Sequence, residues 1–262
     1  MLLKSMTLLV VLMISFKAQT QPSKNHKAVA SKIIKAYVDD FRKDRFASEP
    51  MYFGIEVSNV GTWTIDVTGV KKDEWEVKLT EGKPMKPTFI YKLGLETLQA
   101  IDNGKINALT AQGKAFAGDY TPLSIEEMEG YKPSIAELDK VNPFSFHFWT
   151  RGFPETIPFR EDMTRVAHGS NFVVFYYEKG LRTAWYRILP NERVRDDARE
   201  QAAPFPMMGV TIKGTAEGEV DGKKVTVPEG NTVFIPANVQ HKWWNDSNKP
   251  VEIVLIMFGK GA

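Results

Sequence analysis

Of the side chains able to do acid–base or metal chemistry, histidine is the scarcest in this chain. There are four, at positions 26, 147, 168 and 241, and there is no cysteine. The absence of cysteine removes disulfides, thiol nucleophiles and thiolate metal sites. His241 lies in the most densely patterned stretch, where Gly230, Pro236, Asn238 and Asn245 stand at turn-forming or hydrogen-bonding positions around it. A single imidazole titrating near neutrality can act as a general base or a polar anchor, so His241 is the candidate catalytic residue. It can equally be a hydrogen-bonded, inert side chain. A divalent metal needs three or four nitrogen or oxygen ligands around one point. Asp197 and Glu200, upstream in one loop with Asp196, could join His241 in an oxygen-rich set. Arg193, Arg195 and Arg199 interleave with them, a pattern that also describes surface ion pairs. His147 and His168 fall outside this stretch and can be either buried or exposed.

These residues need a scaffold, and the second half of the chain reads as short strands. Phe172 to Tyr177, Arg182 to Leu189, Met208 to Lys213, Lys223 to Val227, Thr232 to Ile235 and Val251 to Met257 carry the apolar text. Glu178-Lys179-Gly180, Asp221-Gly222 and Glu229-Gly230 supply turns between them. Many short strands with close turn signals point to an all-β sandwich or barrel. The run from Gly230 through Pro236, Asn238 and His241 to Asn245 resembles the second motif of the cupin family, with asparagine where glycine is usual. Asparagine tolerates the left-handed conformation better than most residues. The resemblance implies a double-stranded β-helix (jelly-roll) barrel over 144–262, with Trp243 as a ligand-contacting residue and a homodimer formed through the barrel. In that family two histidines and a glutamate of an earlier motif join the later histidine around one metal. Counting back from Gly214 puts Met207 at the glutamate position, and the histidine positions fall on Gln201 and Ala203, or on Glu200 and Ala202. The ligand set is missing, so no cofactor is expected, with a divalent metal open only through Asp197, Glu200 and His241.

The first half reads as α+β. Val29, Ile33, Tyr37 and Phe41 recur every four residues, an amphipathic helix that Asn25 can cap. Trp63, Ile65 and Val67, then Trp75, Val77 and Leu79, then Phe89, Tyr91 and Leu93 alternate with polar residues, as half-buried antiparallel strands do. A short helix over Leu95 to Ile101, a last strand from Gln112 to Ala117 and a capping-box helix opening at Ser124 complete the order. The segments TWTIDV (62–67), FIYKL (89–93), LETLQAIDNGKIN (95–107) and QGKAFA (112–117) resemble the sterol carrier protein type-2 family. That resemblance covers 23–130 and implies helices over a curved antiparallel sheet around an apolar tunnel for lipid. Trp63, Phe89, Tyr91, Leu98, Ile101 and Phe116 would line it, although the same residue types also make ordinary cores. Residues 131–143, with Pro133 and Pro143 around a short helical stretch, read as a linker or a bridging helix. The aromatic-rich run from Phe144 to Arg165 is expected to cover the barrel or pack on the first domain.

At the N-terminus, Lys4, an apolar run from Thr7 to Phe16 and Ala18-Gln19-Thr20 read as a signal peptide over 1–20. The alternatives are an N-terminal anchor or a buried first helix. The run is too short to span a bilayer core. Lysine and arginine number 34 against 32 acidic residues. Loss of Lys4 and Lys17 with the leader would leave the charges balanced, which argues against nucleic acid as a partner. The sequence therefore points to a periplasmic or secreted binding protein: a lipid or other apolar ligand in the first domain, and a metal-poor cupin as second pocket or interface. The competing expectation is a cupin enzyme, a metal-independent isomerase or an oxygenase, acting on a small organic molecule.

Overall fold

The computed structural model describes residues 24–116, 118–150, 155–197 and 202–262. The leader, Glu200 and the 201 position weighed as a metal ligand lie outside the described residues. Helix α1 (Lys24–Phe41) buries Ala30, Ile33, Ile34, Tyr37, Val38 and Phe41, a stripe at helical spacing. It starts one residue before Asn25, so Asn25 lies inside the helix instead of capping it. Strands β1 (Met51–Val57), β2 (Gly61–Lys71), β3 (Glu74–Glu81), β4 (Phe89–Leu93) and β5 (Leu123–Glu127) form one sheet in the order β3-β2-β1-β4-β5. The β1–β4 pair is parallel and the other pairs are antiparallel. The β2–β3 hairpin turns through Lys72 and Asp73, both at positive φ, as a type I′ turn requires.

Three expectations for this half change. The stretch expected to open a helix at Ser124 is strand β5, paired along its length with β4. Pairing satisfies every second backbone group on that side, which a single side-chain cap cannot match. The strand expected from Gln112 to Ala117 is absent over its described residues, because Ala108–Gln112 is helix α3, capped by Asn107, whose side chain accepts from the Thr110 N–H. The stretch read as a linker or bridging helix, 131–143, changes in extent: helix α4 (Ile135–Trp149) runs on through Pro143. The real capping box is here: the Ser134 hydroxyl accepts from the Glu137 N–H at 3.2 Å, and the Ser134 N–H donates to the Glu137 carboxylate at 2.7 Å.

Helix α4 carries its aromatics into the first core. Phe144 and Phe148 meet Phe53 edge-on at 5.2 and 5.0 Å, and Trp149 meets Tyr37 and Tyr91. The packing unit that holds the five-stranded sheet thus extends to Trp149, past the boundary at 144 that the sequence suggested. Tyr91 is fully buried, and its phenol contacts the Ser145 hydroxyl at 2.5 Å. His147 is buried too, with Nδ1 at 2.9 Å from Asp44 Oδ2. Trp75 Nε1 donates to the Asp44 carbonyl at 3.0 Å, so this pair ties the end of α4 to the loop after α1.

The second half is two antiparallel sheets. One contains β6 (Arg165–Ala167), β7 (Ser170–Glu178), β8 (Leu181–Ile188), β10 (Met207–Lys213), β13 (Thr232–Ile235) and β15 (Val251–Phe258), in the order β13-β10-β15-β8-β7-β6. The other contains β9 (Arg193–Val194), β11 (Thr215–Val220), β12 (Lys223–Pro228) and β14 (His241–Trp244), in the order β12-β11-β14-β9. Asp221 and Gly222, both at positive φ, make the two-residue β11–β12 turn. Inward residues of both sheets meet in one core that includes Ile188, Met207, Val227, Ile235 and Trp243. Phe159 stacks on Phe175 and Trp185, so part of the aromatic-rich run covers the barrel as expected.

Helix α3 joins the halves. Asn107 Nδ2 donates to the Val174 carbonyl at 2.7 Å and the Val174 N–H donates to Thr110 Oγ1 at 2.8 Å, at a bulge in β7 that frees those groups from the ladder. The Arg165 guanidinium donates to the Thr110, Gly113 and Tyr120 carbonyls at 3.0, 2.6 and 2.8 Å, closing the C-terminal end of α3. On the α4 side, Phe146 meets Tyr176 edge-on at 4.7 Å.

Candidate ligand site at the barrel mouth

His241 opens β14 and is 3% exposed. The turn before it holds Asn238 at φ 61°, with its N–H donating to the Ala203 carbonyl at 2.7 Å, so asparagine takes the left-handed position that glycine would otherwise serve. His241 Nδ1 lies 2.9 Å from the Val239 carbonyl. A carbonyl only accepts, so Nδ1 carries the proton and Nε2 keeps its lone pair when the ring is neutral. Burial pushes the imidazole pKa down from 6.5 to about 4; the Val239 carbonyl opposes this, and the charges of Arg195 and His168 add to it. At neutral pH His241 is therefore uncharged.

The remaining motif positions build the frame. Asn245 is 1% exposed, with Nδ2 donating to the Ile188 and Lys249 carbonyls at 2.9 and 2.8 Å and Oδ1 accepting from the Ser247 N–H at 3.0 Å. All of its polar capacity goes to holding the β14–β15 connection against β8. Trp243 points into the barrel, and this requires Gly218 on β11: a Cβ there would sit 2.4 Å from the Trp243 ring and 2.7 Å from the Lys242 carbonyl. Trp244 faces the other way and donates to Glu217 at 3.2 Å.

Inside the barrel is a small cavity of about 60 Å³, walled by Met207, Thr211, Val227, Ile235, His241 and Trp243 among others. Outside it is a larger cleft of about 620 Å³ between the two halves. Leu109, Gln112, Tyr131, Leu138 and Val141 form its wall from the first half, and Phe172, Tyr177, Arg182, Phe205 and Met257 its wall from the second. Five residues border both spaces: His168, Tyr186, Arg195, Met207 and Leu255. They form the neck of wall that the barrel interior and the cleft share.

Met207, on which the count from Gly214 puts the cupin glutamate position, is 2% exposed, and a thioether is a poor ligand for a hard or borderline divalent ion. Among the described residues no group of three or more histidine, aspartate or glutamate side chains is placed to hold one. Asp197 is exposed and borders neither the barrel cavity nor the cleft.

Of the proposed tunnel residues, Trp63, Phe89, Tyr91, Leu98 and Ile101 all lie in the first hydrophobic core, where they pack on one another and on α1 and α4. Phe89 also reaches the cleft. Phe116 is half-buried and outside that core. Sequence reasoning set His168 aside from the motif, read Arg195 as a surface ion-pair residue and passed over Arg182. Their convergence depends on the pairing of two-residue β9 with β14 and on the Arg195 N–H donating to the His168 carbonyl, contacts between segments far apart in the chain.

Residues 202–257 match the family model of the Cupin_2 domain, described as a cupin domain. Among solved structures the chain is similar to a cupin 2 conserved barrel domain protein from Salinispora arenicola, at 14% identity and a TM-score of 0.36, covering 40% of this chain and 88% of that one. It is also similar to the plu4264 protein from Photorhabdus luminescens, at 15% identity and a TM-score of 0.36, covering 42% and 89%, and to an RmlC-like cupin from Shewanella frigidimarina, at 12% identity and a TM-score of 0.30, covering 36% and 79%. No curated protein matches the sequence.

Proposed function

We propose that this chain is an exported binding protein for a small amphipathic molecule, seated in the cleft where the first half meets the mouth of a metal-poor double-stranded β-helix. The observation that carries the reading is the cleft itself, a space of about 620 Å³ lined by both halves that shares five wall residues with the barrel cavity. Sites that hold small ligands are typically of roughly 300–1,000 Å³, mostly apolar, with a few fixed polar groups. The tight aromatic packing around Phe53 favours the cleft over the first domain's own core as the seat of an apolar cargo. The apolar run over 1–20 supports export to a periplasm or the exterior. A homodimer through the barrel belongs to the same proposal; Phe234, exposed on edge strand β13, supports it.

The experiment is the mass of the mature protein, purified without detergent, under native and then denaturing conditions. An added mass that leaves on denaturation and matches a lipid or another organic molecule is the expected result. A metal-sized increment would overturn the metal-poor reading.

One observation favours an enzyme instead: His241 is neutral, with Nδ1 committed to a carbonyl and Nε2 left as a base in the wall of the barrel cavity. A metal-independent isomerase would use such a nitrogen to move a proton.

A further inference from the structure

We propose that the outer face of the six-stranded sheet is where two copies of this chain meet, packed face to face about a two-fold axis. This rests on the homodimer reading above and says which surface carries it.

Alternation along the strands separates the two faces of that sheet. Met207 and Gly209 of β10, Ile235 of β13, and Ile253 and Leu255 of β15 wall the barrel cavity. The residues between them point outward, and they are apolar as well: Met208, Val210, Phe234, Val254 and Ile256, with Phe258 beyond. Register makes them one patch. Phe234, Met208 and Ile256 stand side by side across three strands, and Val210 is opposite Val254. The Phe234 and Phe258 rings lie 6.3 Å apart.

Among the described residues, none of these six packs into a hydrophobic core of either half. Phe234 is 54% exposed, and the others are half-buried. An antiparallel strand with one face in water alternates apolar with polar, whereas one that is apolar on both faces is built to be covered on both. Phe159 covers only the far corner, over Trp185.

Size and charge point to a second copy as the cover. From β13 to β8 and along β15, the face measures roughly 19 by 27 Å at ordinary strand spacings. With the Trp185 corner removed, about 400 Å² a side stays open. A pair then buries on the order of 1,000 Å², the lower end for specific association and enough for a reversible dimer. Glu252 and Arg187, charged outward residues at one end of the face, are already neutralised: Glu252 pairs with Lys213 at 3.2 Å, and Arg187 with Glu161. A face without net charge meets its own copy free of like-charge repulsion, as an isologous interface must. Joining the β13 edges instead would use a strand of four residues and leave the patch in water.

Analytical ultracentrifugation of the mature protein over a range of concentrations is the test. A reversible monomer–dimer equilibrium is expected for the parent. Val210→Glu, on the interior strand β10, is expected to weaken the dimer at least about tenfold, because the carboxylate would have to leave water. Thr183→Glu, on β8 beside Ile256, is expected to do the same. Its half-buried polar site keeps the result independent of whether Val210→Glu folds. A parent dimer that the folded variants leave intact overturns the face and leaves the homodimer reading standing. A parent that stays monomeric at every concentration overturns both.

Discussion

At His241 two uses of a buried imidazole meet, and its protonation separates them. Its folded pKa, about 4, is depressed below the ordinary 6.5. Between those values the unfolded chain binds a proton that the folded chain does not, so stability rises with pH across that window and is fully present above it. The loss on going from about pH 7 to about pH 4 is at most about 3 kcal/mol from this residue. His241→Gln should flatten that acid limb, read by denaturant unfolding of both proteins at several pH values. The same variant tests the enzyme reading: any turnover the parent shows must fall with it. The pattern around His241 was legible because each motif residue acts locally: Asn238 sets a left-handed turn, and Asn245 closes a connection. The other half of the neck was not. Arg195 sits among acids and arginines and reads as surface charge, and only the crossing with His168 turns it toward the barrel.

At the scale of elements, α3 decides whether the cleft exists. It is five residues long, too short to be stable alone. It persists through its Asn107 cap, the Val174 hydrogen bonds at the β7 bulge and the Arg165 guanidinium on its last carbonyls. Arg165→Ala leaves those carbonyls without a charged donor and should cost about 1–3 kcal/mol. It should also weaken ligand binding in the cleft, since Gln112 and Gly113 lose their anchor; thermal unfolding and titration with decanol check the two effects. The sequence conveyed elements with a strong period, such as α1 and β2, and missed those set by partners. Leu123–Glu127 has a cap-like spacing, yet β4 offers it a ladder. The proline-flanked 131–143 stretch reads as a break, yet Pro143 is accommodated because Phe144, Phe148 and Trp149 beyond it have a core to enter.

On the scale of the whole molecule, the two halves are one docked unit. The first core takes in the aromatics of α4, and α3 and α4 both rest on β7. The cleft follows from that docking, and neither half alone contains it. The cupin-like character of the second half was readable from strands, turns and one motif. The site between the halves depends on contacts no single segment encodes. A crystal structure of the mature protein with decanol, a small amphipathic probe, tests this account most directly. The account predicts the alkyl chain between Leu138 and Val141 on one side and Phe205 and Met257 on the other. A ligand found among Trp63, Leu98 and Ile101 inside the first core, with the cleft empty, would contradict it.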